Sequence, residues 1–209
     1  MKVMAIGAHF DDVELGCGGA LARHVAEGDE VTILVATHSG YAGPAGNVIR
    51  DAGTALAEGR AAAEILGVRD LVALDFPTND LPAGDRVVCA LLEAIGQRGI
   101  DQVYTHWHGD AHLDHQNLAR ATISACRHIK RLLMYRSNLY EGVGQFRDNF
   151  FVDISAFSEI KMSAISAHHS ELGRVGNCWL DSVRYRDRLN GLRIGVESAE
   201  AFQVFRYIA

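Results

Sequence analysis

Two short runs hold residue types that could hydrolyse an amide with the help of a metal. The first is His9-Phe10-Asp11-Asp12; the second, about a hundred residues on, is His106-Trp107-His108-Gly109-Asp110-Ala111-His112-Leu113-Asp114-His115. Zinc takes imidazole nitrogen and carboxylate oxygen, and a catalytic site uses three protein ligands with a fourth position open to water. His9, Asp12 and one histidine of the second run meet that count. Asp11 and Asp12, being adjacent, leave the turn in different directions. One can bind the ion while the other takes a proton from water, the division that amide hydrolysis requires.

These runs act together only if the fold joins them. Lys2–Gly7 and Glu30–Ala36 read as short buried strands, and Gly18–Glu27 between them has helical spacing ending at Gly28. Arg50–Leu66, Arg86–Gln97 and His115–His128 follow as helices, alternating with strands at Leu71–Leu74, Gln102–Thr105 and Leu132–Tyr135. Such alternation predicts an α/β fold: a doubly wound, mostly parallel sheet with helices on both faces. Ligands in such sheets bind beyond the carboxyl ends of the strands where strand order reverses. The two runs follow two strands that are commonly neighbours at that point. From about residue 146 the pattern changes to a strand at Asn149–Ile154, helices at Ser158–His168 and Asp181–Asn190, and a strand at Ala201–Tyr207. We expect one domain over 1–209, with a core over 1–145 and a C-terminal cap over 146–209 too small to fold comfortably alone.

Other readings of the motifs are weaker. An Asp-Asp pair after a first strand also binds magnesium in phosphoryl-accepting receiver domains. Those need an aspartate ending strand three and a late lysine, for which Asp75 and Lys130 are the nearest candidates, and nothing in them calls for His112-x-Asp114-His115. Gly16-Cys17-Gly18-Gly19 lacks the G-x-G-x-x-G spacing of a dinucleotide site, so these glycines are expected to let the backbone pass close to the metal loop. His24, His128, His168 and His169 lie outside the two runs and are read as structural.

Gly7–Gly19 (GAHFDDVELGCGG) together with His112-Leu113-Asp114-His115 resembles the two signature motifs of the PIG-L/LmbE-like de-N-acetylases. The resemblance extends through Leu66–Val68, Phe151–Ser155 and Lys161–Ser170. It implies a Rossmann-like fold, zinc held by His9, Asp12 and His115, and Asp11 as general base. It further implies His112 as the group that stabilises the oxyanion and protonates the leaving amine, with Asp114 orienting His112. Two departures stand out. Phe10 occupies a position often held by proline, where it could alter the pocket wall. Family members also often carry an arginine three residues before a glutamate; here Glu58 is preceded by Ala55, and Arg50 could substitute.

Composition narrows the rest. Of the 209 residues 48% are hydrophobic and 22% charged, enough for a large core, and the net charge of −6 argues against a nucleic-acid partner. The apolar stretch at the N-terminus is shorter than a secretory signal requires, and no run is long enough for a membrane span. The four cysteines contain no C-x-x-C pair. A cytoplasmic location with reduced thiols is therefore expected. The loop His38–Asn47, with three glycines and a proline, predicts an irregular segment at the edge of the site whose Ser39, Tyr41 and Asn47, along with Arg50, contact substrate. The expected activity is removal of an N-acetyl group from an amino sugar or its conjugate, with Zn2+, or Fe2+ or Co2+ in its place. An amidase of a thiol–sugar conjugate or other N-acyl metabolite is the alternative enzyme. A non-catalytic metal-bound regulatory module is the alternative of another class, and a homo-oligomer is compatible with all three.

Overall fold

The computed structural model describes residues Met1–Ala209. In chain order the elements are β1 (Lys2–Gly7), α1 (Asp12–Ala26), β2 (Glu30–Thr37), β3 (Tyr41–Ala42), β4 (Val48–Arg50), α2 (Ala52–Ile65), β5 (Asp70–Phe76) and α3 (Asp85–Arg98). There follow β6 (Gln102–His106), α4 (Leu113–Ala125), β7 (Arg131–Tyr135), β8 (Phe150–Asp153), α5 (Ser158–Ser166), α6 (His169–Val175), α7 (Cys178–Ile194) and β9 (Ala199–Tyr207).

Seven strands form one sheet in the order β5-β2-β1-β6-β7-β9-β8. The pairings β2–β5, β1–β2, β1–β6 and β6–β7 are parallel, whereas β9 runs antiparallel to both β7 and β8. The sheet is thus the expected doubly wound α/β arrangement, and the C-terminal strands extend it rather than start another. Its central strands are buried on both faces, which is why they read as near-continuous apolar runs. One face holds a core built from α1, α2 and the β1–β2 side chains with Phe202, and the opposite face holds a second core around α3 and α4. No helix is long and apolar enough to cross a membrane.

Three local expectations are corrected. The segment 38–47 is not irregular throughout: β3 and β4 pair as an antiparallel hairpin, turned at Gly46, whose φ is +78°. The helix α6 was not foreseen, and α1 begins at Asp12, inside the first motif. The glycines of that helix serve packing rather than passage beside the metal loop. A Cβ on Gly16 would lie 2.1 Å from the Tyr135 ring, and one on Gly19 would lie 2.8 Å from Ile154. Between them α1 kinks at Cys17, whose φ of −148° is not helical. The backbone N–H groups of Gly19 and Ala20 donate instead to the buried Glu200 carboxylate at 2.9 and 2.7 Å. Glu200 so caps the second half of the helix, and the buried Lys161, 2.7 Å away, balances its charge.

Gly16→Ala should therefore destabilise the protein by about 1–3 kcal/mol, the usual cost of overpacking a close-packed core, because Tyr135 is held through its hydroxyl to the Ile6 carbonyl and cannot swing away. Urea unfolding of the variant checks this; a wild-type midpoint would show that the helix can move off the sheet freely.

Candidate active site

Strands β1 and β6 are adjacent, with Ile6 opposite Thr105. The peptides that leave their carboxyl ends are therefore side by side, and the two sequence motifs meet. His9 Nδ1 and His115 Nε2 lie 3.3 Å apart. The Asp12 carboxylate places one oxygen 3.3 Å from the first and the other 3.3 Å from the second. Tetrahedral bonds of about 2.0–2.1 Å imply edges of roughly 3.3–3.4 Å, so these spacings fit one divalent ion.

A carboxylate stands behind each imidazole. His9 Nε2 lies 3.0 Å from Asp114 Oδ2, and Asp114 is itself held by the backbone N–H groups of Asn79 and Leu81 at 2.7 and 3.0 Å. His115 Nδ1 lies 3.2 Å from Asp110 Oδ1, and Asp110 accepts from the His112 backbone and from Asn138. Carboxylate support of this kind sets the tautomer, turning the other nitrogen toward an ion. His106, wholly buried, stacks on His115 with ring centroids 3.9 Å apart and places Nε2 3.1 Å from Asp12 Oδ2. Burial opposes protonation of His9 and His115. The carboxylates outweigh it and raise the two imidazoles to about 9 and about 10. Burial and the neighbouring His115 push His106 down to about 4, so it is a neutral support. The carboxylates of Asp12, Asp110 and Asp114 thus surround the two imidazoles, a donor set suited to a cation.

Asp11 stands apart from this triad. Its backbone has φ +135°, a conformation that costs a non-glycine residue of order 1–3 kcal/mol and persists only when its surroundings enforce it. Three contacts do so. The Phe10 N–H donates to Ser39 Oγ at 2.9 Å, and the Phe10 carbonyl accepts from Arg50 Nη1 at 2.9 Å. The Phe10 ring is buried against Gly59, where a Cβ would lie 2.2 Å from it. The turn before Asp11 is gripped at both polar atoms and at its side chain. Burial, then the adjacent Asp12 charge, raise the Asp11 carboxyl to about 7.

His9, Asp11, Asp12, His112, His115, Ser39, Tyr41 and Arg50 all line one cavity of about 670 Å³, with Glu171 and Trp179 on its far wall. Four expectations change. Asp114 orients His9 and not His112; His112 Nδ1 instead accepts the Asp114 backbone N–H at 3.1 Å. Asn47 is exposed at the hairpin turn and does not reach the cavity. The Ser39 hydroxyl braces the Phe10 turn. Phe10 is in the core rather than the pocket wall. Arg50 pairs with Glu58, its Nη2 lying 2.7 Å from the Glu58 carboxylate. Sequence reasoning missed Asp110 and His106 as supports, although both lie in the His/Asp run. It missed Glu171 altogether and left His168 without a role. His168 is buried with Nδ1 3.3 Å from Arg50 Nη2.

The family description PIG-L: GlcNAc-PI de-N-acetylase matches residues 4–126. The chain is 31% identical to a diacetylchitobiose deacetylase of Thermococcus kodakarensis, over 92% of this chain and 80% of that protein. Among solved structures, the conserved protein TT1542 from Thermus thermophilus has a TM-score of 0.85 at 28% identity, covering 99% of this chain and 95% of the other. The N,N'-diacetylchitobiose deacetylase of Pyrococcus horikoshii has a TM-score of 0.84 at 22% identity, covering 98% and 83%.

Replacing His9, Asp12 or His115 with Ala should abolish stoichiometric binding of a divalent ion. Asp114→Asn and Asp110→Asn should weaken it by about 10–100-fold, as loss of carboxylate support does elsewhere. Calorimetric zinc titration reads both, and undiminished affinity in Asp114→Asn would refute its role behind His9.

Proposed function

The chain belongs to the PIG-L family of GlcNAc-PI de-N-acetylases, and on that premise we propose that it is a zinc-dependent amidohydrolase. It removes the N-acetyl group from an amino sugar or amino-sugar conjugate and releases acetate and the free amine. The observation that carries this reading is the separation of Asp11 from the ligand triad. A purely structural metal site has no use for a half-buried, strained carboxylate raised toward neutrality. The similarity to an enzyme named for diacetylchitobiose supports an acetamido sugar as substrate.

His9, Asp12 and His115 would hold the ion; two imidazoles and a carboxylate suit zinc, and iron or cobalt could use the same set. When bound, it polarises the amide carbonyl and lowers the pKa of water. Asp11 takes the proton from the attacking water and later delivers it to the departing nitrogen, so the proton balance closes on one carboxylate. Of the two tasks that the family resemblance implies for His112, the geometry favours the first, stabilising the oxyanion. Its Nδ1 is occupied by the Asp114 N–H, so the ring proton lies on Nε2. Burial, His115 and His9 hold its pKa below the usual imidazole value. A neutral His112 donates one hydrogen bond to the oxyanion and leaves proton delivery to Asp11.

The cap over 146–209 belongs to the same working unit, since α6 and α7 supply Glu171, Arg174, Trp179 and Arg186 to the cavity wall. The net charge of −6 supports a small neutral substrate rather than nucleic acid. Four free cysteines suit a reducing, cytoplasmic setting.

With zinc bound, Asp11→Asn and His112→Ala should keep the metal and lose about 10²–10⁴-fold in kcat for acetate release from an N-acetylated amino sugar. Near-native kcat in Asp11→Asn would remove it as the base.

A further inference from the structure

The cavity wall facing Asp11 contains a carboxylate outside both motifs. Glu171, on α6, is 4% exposed. The Tyr41 hydroxyl donates to its Oε1 at 2.9 Å across the gap from the β3–β4 hairpin, and Arg174 donates through Nε to its Oε2 at 2.9 Å and again through Nη2. A carboxylate accepts about four hydrogen bonds, and these contacts account for three. The remaining acceptor position is on Oε1. Arg50 Nη1 lies 3.8 Å from that same oxygen and 4.0 Å from Asp11 Oδ2, too far to donate to either. One N–H of Nη1 goes to the Phe10 carbonyl, which leaves the second.

Both groups line the cavity, so an acceptor and a donor 3.8 Å apart face the same space. A single hydroxyl satisfies both, accepting from Arg50 and donating to Glu171. Charge decides against the other ligand types. Glu171 is already flanked by two guanidinium groups, so a cation gains little there, while an anion meets Asp11, Asp12 and Glu171 together. We infer that Glu171 and Arg50 form a hydroxyl-reading subsite, with Tyr41 and Arg174 as its clamps, and that this subsite selects a sugar bearing a free hydroxyl close to its acetamido group. The inference rests on the amino-sugar reading above. A site built around a hydroxyl discriminates strongly against analogues lacking it, because its own buried groups are then left unpaired.

The test uses N-acetylglucosamine and its 3-, 4- and 6-deoxy analogues with zinc-loaded wild type, Glu171→Gln and Tyr41→Phe. Binding is measured by calorimetry and acetate release separately. In the wild type, the 3-deoxy analogue should bind at least about 10-fold more weakly than the parent sugar. In Glu171→Gln the parent should bind more weakly and that single-analogue penalty should shrink toward onefold. Tyr41→Phe should lie between the two with unchanged zinc stoichiometry. Equal penalties in wild type and Glu171→Gln, or failure of the wild type to bind any of the four sugars, overturns the subsite. Selective binding without acetate release would uphold the subsite and count against the deacetylase reading alone.

Discussion

Parallel pairing of β1 with β6 sets the distance between the two halves of the site. The strands are hydrogen-bonded neighbours with Val3 opposite Gln102 and Ile6 opposite Thr105, so Gly7 and His106 end at the same level of the sheet. Everything beyond that level inherits the register. The Ala8–Asp12 turn arrives beside His106–His115, Ala8 N lies 3.1 Å from His106 Nε2, and two imidazoles and a carboxylate converge without a long loop. A slip in a parallel sheet buried on both faces would also exchange the two cores, which is why the register is firmly specified. The catalytic geometry is thus a by-product of packing that the sheet needs anyway.

A second constraint runs against stability. Asp11 sits in a backbone conformation that costs of order 1–3 kcal/mol, with its half-buried carboxylate beside that of Asp12. Ser39, Arg50 and the Phe10–Gly59 contact hold that turn, and none of the three touches the reacting atoms by that means. Arg50 is the hinge of this arrangement. Its guanidinium supports Phe10, pairs with Glu58 and faces Glu171 from one buried position. Loop geometry, the α2 helix and the C-terminal cap are thereby coupled through a single side chain.

The candidate ligand set was legible in part: residue type and number pointed to His9, Asp12 and one histidine of the second run, and the family resemblance picked out His115. The sheet was legible because strands buried on both faces read as uninterrupted apolar runs bounded by helices. What sits behind the ligands was harder to read. Asp114 and Asp110 are two and five residues from His112 and His115 in a dense acidic run, and only the start of α4 at Leu113 decides which carboxylate backs which imidazole. The Tyr41–Glu171 contact joins residues 130 apart, on a two-strand hairpin and a seven-residue helix with little periodicity of their own. Such short elements are shaped by tertiary contacts, so propensity said little about them. The glycines of α1 illustrate the same limit: the sequence suggests room for the backbone beside the metal loop, whereas Gly16 and Gly19 face the Tyr135 ring and Ile154, each more than a hundred residues away.

The central claim is that one ion on His9, Asp12 and His115 is what turns this cavity into an amide hydrolase. Titrating metal-stripped protein with zinc while following acetate release from an N-acetylated amino sugar tests it most directly. The account predicts no turnover in the stripped protein and a linear rise that breaks at one equivalent of zinc per chain. Turnover that persists without metal, or a rate unaffected by zinc, would contradict it.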